Sequence, residues 1–151
     1  MAPPDSHPQP VPLVALLGSA ETAFEAEFDR RLHEGNFCAL SLAHSRNVLR
    51  HLADGPMRAS AIVGRCGVTK QAISQQLVYL QRNGYVEITP DPTDQRARIV
   101  ALTDKGRTAQ CFVVRMFGEI EREWSEQVGS EALATTRAVL TKLAGGKVGC
   151  G

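Results

Sequence analysis

Two groups of side chains stand out for the chemistry their types and spacing allow. The first is Thr69-Lys70-Gln71-Ala72-Ile73-Ser74-Gln75. At helical spacing, Ile73, Leu77 and Leu80 form an apolar stripe, and Gln71, Ser74, Gln75, Val78 and Arg82 fall on the other side. A Gln amide both donates and accepts, so it can pair with both groups on the edge of an adenine, and a Ser hydroxyl can do either. The same face reads equally well as a neutral solvated surface. The second group is Arg96 and Arg98, beside a turn that also carries Asp94. An arginine on a mobile tip can enter a narrow groove of concentrated negative potential. Asp94, two positions earlier, is expected to hold the Arg96 guanidinium by a charge-assisted hydrogen bond. Alone, each group has an ordinary surface explanation. Together, at this separation, they are far more specific.

Positioning these groups requires a defined set of elements. Helical periodicity runs over about 13–34, where Ala20, Phe24, Phe28 and Leu32 recur every four residues, and Gly35-Asn36 breaks it. A second helix is predicted over about 37–53, a short third over about 59–66, and a fourth over about 70–83. Gly67 supplies the bend between the third and fourth, and Thr69 caps the fourth, leaving its N-terminal amides free to face an anion. Gly84 stops that helix. Stretches 85–89 and 98–102 are rich in β-branched and aromatic residues, with a polar, proline-marked turn between them. They predict a hairpin with a long charged tip. Thr103 caps a long helix over about 104–128, on which Val113, Phe117, Ile120, Trp124 and Val128 share a face. A last helix begins near Ser130.

Composition narrows the class. The chain has 151 residues, enough for one domain with a real core. No apolar run approaches the ~18 residues that would span a bilayer. The N-terminus has no basic start and carries Asp5, so a cytoplasmic location is expected. The net charge of +1 hides an asymmetry: residues 58–107 hold eight basic and four acidic side chains, so the rest of the chain is acidic. A basic middle suits a local anion-binding surface, although so small a difference also arises by chance. Residues 1–12 hold five of the eight prolines and read as a disordered tail, and 145–151, with four glycines, as a flexible one. The widely spaced Cys38, Cys66, Cys111 and Cys150 form no Cys-x-x-Cys pair. Cys66 and Cys111 are expected to be small buried hydrophobes.

The order of these elements is that of a winged helix-turn-helix. The sequence resembles the MarR family of bacterial regulators over roughly residues 13–143. The most specific part is Asp91-Pro92-Thr93-Asp94-Gln95-Arg96-Ala97-Arg98 with Leu102-Thr103-Asp104-Lys105-Gly106, similar to the family's wing signature. Val68-Thr69-Lys70-Gln71-Ala72-Ile73-Ser74 is similar to its recognition-helix start, and Asn83-Gly84-Tyr85-Val86 to the exit into the wing. Val63 and Cys66 depart from the usual Ala and Leu, both by apolar changes. The resemblance implies a mainly α fold with a small β-hairpin wing. A core over about 37–103 would be flanked by dimerisation helices at 13–34 and 104–144. It implies double-stranded DNA as partner, a homodimer, and a regulator, a repressor more than an activator. Thr69, Lys70, Gln71, Ser74 and Gln75 would read the duplex, with Arg96 and Arg98 on the wing.

Family members often answer to small molecules, oxidants or metals, which implies a pocket between the dimerisation helices and the DNA-binding lobe. Candidate sensor residues are His33, Cys38, His44 and His51. Cys38, near a helix N-terminus, could sense oxidants, though a plain thiol is the simpler reading. His44 and His51 are seven apart, which suits joint metal ligation poorly, and neither a metal nor another cofactor is expected. No Gly-rich phosphate loop, His-Glu-x-x-His or nucleophile elbow is present, so no enzyme is expected. The competing reading is a winged helix used only for protein contacts.

Overall fold

The computed structural model describes residues 10–145. Most of the expected N-terminal tail, the expected C-terminal tail beyond Gly145, and Cys150 lie outside the described residues.

The first helix, α1 (Leu13–Glu34), follows Pro12 and buries Phe28 and Leu32. Its last turn is closed by Asn36 at φ 64°, a left-handed conformation that Asn tolerates better than most residues. Gly35 has a different task. A Cβ there would lie 2.5 Å from Cζ of Phe112, so its bare backbone admits that ring.

The expected single helix over 37–53 is two shorter pieces. Phe37 to Leu40 form a turn, closed by the Leu40 N–H donating to the Phe37 carbonyl at 2.8 Å. Ser41 then accepts from the His44 N–H and caps α2 (Leu42–Asn47). Val48, at φ −124° and ψ −64°, breaks the α-helical track, and a 3-10 turn covers Leu49–Leu52. The reason is packing: Leu40, Leu42, Val48, Leu49 and Leu52 are all buried, and no single straight helix face would carry that spacing.

A two-residue strand, β1 (Met57–Arg58), leads into α3 (Ala59–Cys66). Gly67 turns the chain at φ 65°, and α4 (Lys70–Arg82) follows with the Thr69 hydroxyl accepting from the Ala72 N–H at 3.1 Å. The hairpin is β2 (Val86–Asp91) and β3 (Asp94–Leu102), longer than its β-branched stretches alone suggested. Its strands pair down to Asp91 opposite Asp94, leaving only Pro92 and Thr93 at the tip. β1 pairs with the other edge of β3, Met57 opposite Val100, giving a sheet in the order β1-β3-β2.

Thr103 caps α5 (Asp104–Val128), and α6 (Ser130–Leu143) is the last helix among the described residues. Gly106, in the first turn of α5, sits where a Cβ would lie 1.9 Å from the Tyr85 carbonyl oxygen. That carbonyl also accepts from the Thr103 N–H at 3.1 Å, so helix α5 is docked on the start of the hairpin. The core joins α1, the 3-10 turn, α4, the sheet and α5 through Phe28, Leu49, Ile73, Leu80, Val100 and Val113. Phe24, Phe28, Phe117 and Trp124 form an aromatic cluster between α1 and α5, where Arg31 also reaches Glu119 and Glu123. Among the described residues, no helix is long and apolar enough to cross a membrane.

Candidate nucleic-acid interface

Helix α4 divides as its sequence implied. Ile73, Leu77 and Leu80 are buried, and Lys70, Gln71, Ser74, Gln75, Val78 and Arg82 are exposed. The Ala72 amide is satisfied by the Thr69 side chain, and Lys70 and Gln71, in the first turn, stand exposed. Gln71, Ser74, Gln75, Val78, Tyr79 and Arg82 line one shallow groove along the outer face.

The wing comes to the same side. Lys70 and Ser74 of α4 and Arg96 and Arg98 of β3 line a single hollow of about 380 Å³, floored by Val63, Ile73, Leu77 and Ala97. Gln71 and Gln75 do not line it; they face the groove instead. So the structure gathers four of the predicted contact residues in one hollow and sets the other polar ones on the adjoining surface.

The predicted Asp94–Arg96 ion pair is not formed. The Asp94 carboxylate accepts from the backbone N–H of Arg96 at 3.0 Å, and Arg98 Nη1 donates to the Gln95 carbonyl at 3.3 Å. An Asp side chain readily reaches the amide two residues on, and this local bond wins over the more distant guanidinium. The wing's ion pair lies instead between Arg58 and Asp91, with Nε donating to Oδ2 at 2.6 Å. Asp91 is only 5% exposed. Its other oxygen accepts from the Thr93 N–H and hydroxyl, each at 2.8 Å. The two Thr93 bonds, assisted by Arg58, hold the Asp91 carboxyl below its usual range. The sequence reading missed this anchor. The Asp-Pro-Thr run, an Asx-turn pattern, was the available signal for Asp91.

The sensor candidates are dispersed. Cys38 is exposed in the turn before α2, three residues ahead of the Ser41 cap, and so is not in the first turn of a helix. His44 lies in α2 and His51 in the 3-10 turn, on different elements and not one helix. The His44 ring stacks flat on Tyr79, centroids 4.8 Å apart and planes at 3°, with Nδ1 3.0 Å from the Ser41 hydroxyl. Burial pushes the His44 pKa down, partly opposed by Asp29. Burial also lowers His51, helped by Arg50 and Arg65. Cys111 is exposed, contrary to its expected burial, because its position on α5 faces away from the Val113–Ile120 core side. Cys66 is half-buried and donates to the Asn47 carbonyl at 2.8 Å, and burial pushes its thiol up. Among the described residues no three His, Cys, Asp or Glu side chains come close enough to hold a metal.

A cavity of about 500 Å³ opens between the terminal helices and α2. Phe24, Leu42, Phe117 and Trp124 are among its apolar walls, and Arg46 and Arg50 stand at its polar side. None of His33, Cys38, His44 or His51 lines it.

A hairpin wing packed beside a helix-turn-helix, with both elements offering cations and amides to one side, defines a winged helix-turn-helix protein. Residues 42–97 match the family model described as MarR family. A comparison with functionally curated sequences finds no match. Among solved structures, the S. aureus MepR–DNA complex superimposes with a TM-score of 0.78 at 20% identity, covering 91% of this chain and 99% of that one. A probable transcriptional regulator from Pseudomonas aeruginosa gives 0.75 at 22% identity, covering 87% and 96%. Streptococcus pneumoniae FabT in complex with DNA gives 0.73 at 21% identity, covering 87% and 92%. At these identities the likeness is one of fold.

Proposed function

We propose that this chain is a sequence-specific, double-stranded DNA-binding transcriptional regulator of the cytoplasm, working as a homodimer and acting as a repressor. The observation that carries the proposal is the hollow shared by Lys70, Ser74, Arg96 and Arg98, which joins the recognition helix to the wing. Gln71, Ser74 and Gln75 would meet base edges in the major groove. Arg96 and Arg98 would reach the neighbouring minor groove or its phosphates. MepR and FabT, which share the fold, were each crystallised with DNA, and this supports the same use here.

Dimerisation is supported by uncovered apolar surface at both ends of the chain. Leu13, Val14, Leu16 and Leu17 on α1 and Val139, Leu140 and Leu143 on α6 are exposed. Apolar side chains clustered in this way mark a protein interface. A two-fold pair would present two recognition helices to successive major grooves, one helical turn apart. The single domain would span 13–144. The cavity at Arg46 and Arg50 is the place for a small-molecule effector, and binding, not catalysis, is the activity of the chain.

The test is selection of duplexes from a random library by the full chain, together with sedimentation at micromolar concentration. A dimer that enriches a two-fold-related site is the expected result. No preference for any duplex at low ionic strength would overturn the DNA reading in favour of a protein-contact module. A monomer would overturn the dimer.

A further inference from the structure

The exposed stripe of α4 carries one aliphatic side chain. Gln71, Ser74, Gln75, Val78 and Arg82 follow one another at spacings of three and four, so they form one stripe. In the middle of it Val78 is 55% exposed. The neighbouring Tyr79 is also exposed, at 39%, but it lies at the edge of this stripe with one ring face stacked on His44, and it carries a hydroxyl. Helix α4 carries no Asp or Glu, and its only charges are Lys70 and Arg82. A purely basic face favours a polyanion over an ordinary protein surface. Within a duplex, a valine has nothing to offer a phosphate or a hydrogen-bonding base edge. The apolar group that the major groove presents is the 5-methyl of thymine.

We propose that Val78 is a specificity-determining residue that seats against the 5-methyl group of a thymine in each half-site. The inference rests on the DNA-binding reading above and deepens it. Its place along the helix fits that role. Val78 lies about 4.5 Å along the axis from Gln75, close to the ~3.4 Å step between base pairs. With Gln75 on an adenine, the Val78 methyls fall over a neighbouring base pair. Arg82, one turn further on, leaves the bases and reaches a phosphate. Val78 is therefore the last base-facing position of the helix.

The test uses duplexes selected by the unaltered full chain. Each thymine is replaced in turn by deoxyuridine, which removes the methyl and leaves the pairing edge unchanged. Affinities are measured for the unaltered protein and for Val78→Ala, whose exposed position and higher helix propensity keep the fold intact. At one thymine per half-site, the unaltered protein loses about fourfold in affinity on methyl removal, the value of one buried methyl. Val78→Ala binds the methylated site more weakly and shows no such loss at that thymine. Equal methyl sensitivity of the two proteins at every thymine, or none in either, would overturn the inference and leave DNA binding standing. Failure to enrich any duplex would remove both.

Discussion

Replacing Arg96 by Ala gives a direct measure of how many phosphates the wing engages. The cations near the interface differ in availability. Arg58 is committed to Asp91 and Thr93, Lys105 donates to the Asn83 carbonyl beside the Tyr85 ring, and Arg107 is held by Asp104 and the Leu102 carbonyl. Arg65, on α3, stands near His51 and lines neither the groove of α4 nor the hollow beside the wing. Lys70, Arg82, Arg96 and Arg98 are exposed and make no ion pair among the described residues. With these on both protomers neutralising phosphates, about eight counterions are released, and log K falls with log salt at a slope of about −7. Affinity then drops roughly 10⁴-fold between 50 and 200 mM salt. Arg96→Ala removes one contact per protomer and brings the slope to about −5.4, with affinity at low salt reduced at least several-fold. The assay is fluorescence-anisotropy titration of a selected duplex at four or more salt concentrations. Arg122→Ala, a change on α5 at a side chain 68% exposed, serves as the control and leaves the slope unaltered. A slope for Arg96→Ala indistinguishable from that of the unaltered protein would refute the assignment of the wing to the duplex.

Other outcomes follow from the packing and the titrating groups. Gly106→Ala forces a methyl against the Tyr85 carbonyl, which must move and weaken its bond to Thr103. A loss of about 2–4 kcal/mol is expected, seen as a fall in Tm of roughly 5–15 °C, and a Tm within 2 °C of the unaltered protein would contradict the close approach. Burial lowers the pKa of both His44 and His51, so the unfolded chain binds more protons than the folded one in mild acid. Their stabilisation is complete above about pH 6.5 and is lost as pH falls through the depressed folded values. The urea midpoint should therefore drop from pH 7.5 to 5, and a double His44→Gln, His51→Gln variant should flatten the drop. An unchanged or higher midpoint at pH 5 would count against burial as the cause. Asp91→Asn weakens the bond to Arg58, so amide exchange at residues 93–97 should quicken while that of α5 does not; unchanged protection at the tip would show that the wing is held by other means.

Where the fold was legible, the signal was local. Thr69 and Thr103 cap α4 and α5 as their residue type and position implied, and Gly67 adopts the left-handed turn between α3 and α4. The α1 face at Phe24, Phe28 and Leu32 packs as its four-residue spacing indicated. The reading of 37–53 as one helix had a physical reason to go astray. Apolar residues at 40, 42, 48, 49 and 52 fit a helical window loosely, and the burial of all of them is met only by a turn, a short α-helix and a 3-10 turn in succession. Strand β1 was invisible because two residues carry no periodicity. Its existence depends on the backbone of β3, some forty positions away.

The candidate interface shows the same division between near and far. The polar face of α4 follows from helical spacing, but the support of the wing does not. Asp94 looked like the partner of Arg96 because the two are neighbours, yet an Asp beside its own chain is satisfied by the nearer amide. The guanidinium that steadies the wing comes from Arg58, 33 residues from Asp91. Arg58 is also the residue that precedes α3, the helix joined to α4 by the turn at Gly67. One side chain thus ties the hairpin tip to the helix-turn-helix. Because that tie bypasses Arg96 and Arg98, both wing arginines keep their charge free while the strand that carries them is held. A wing anchored through Arg96 itself would have used, for its own stability, one of the cations proposed for the duplex.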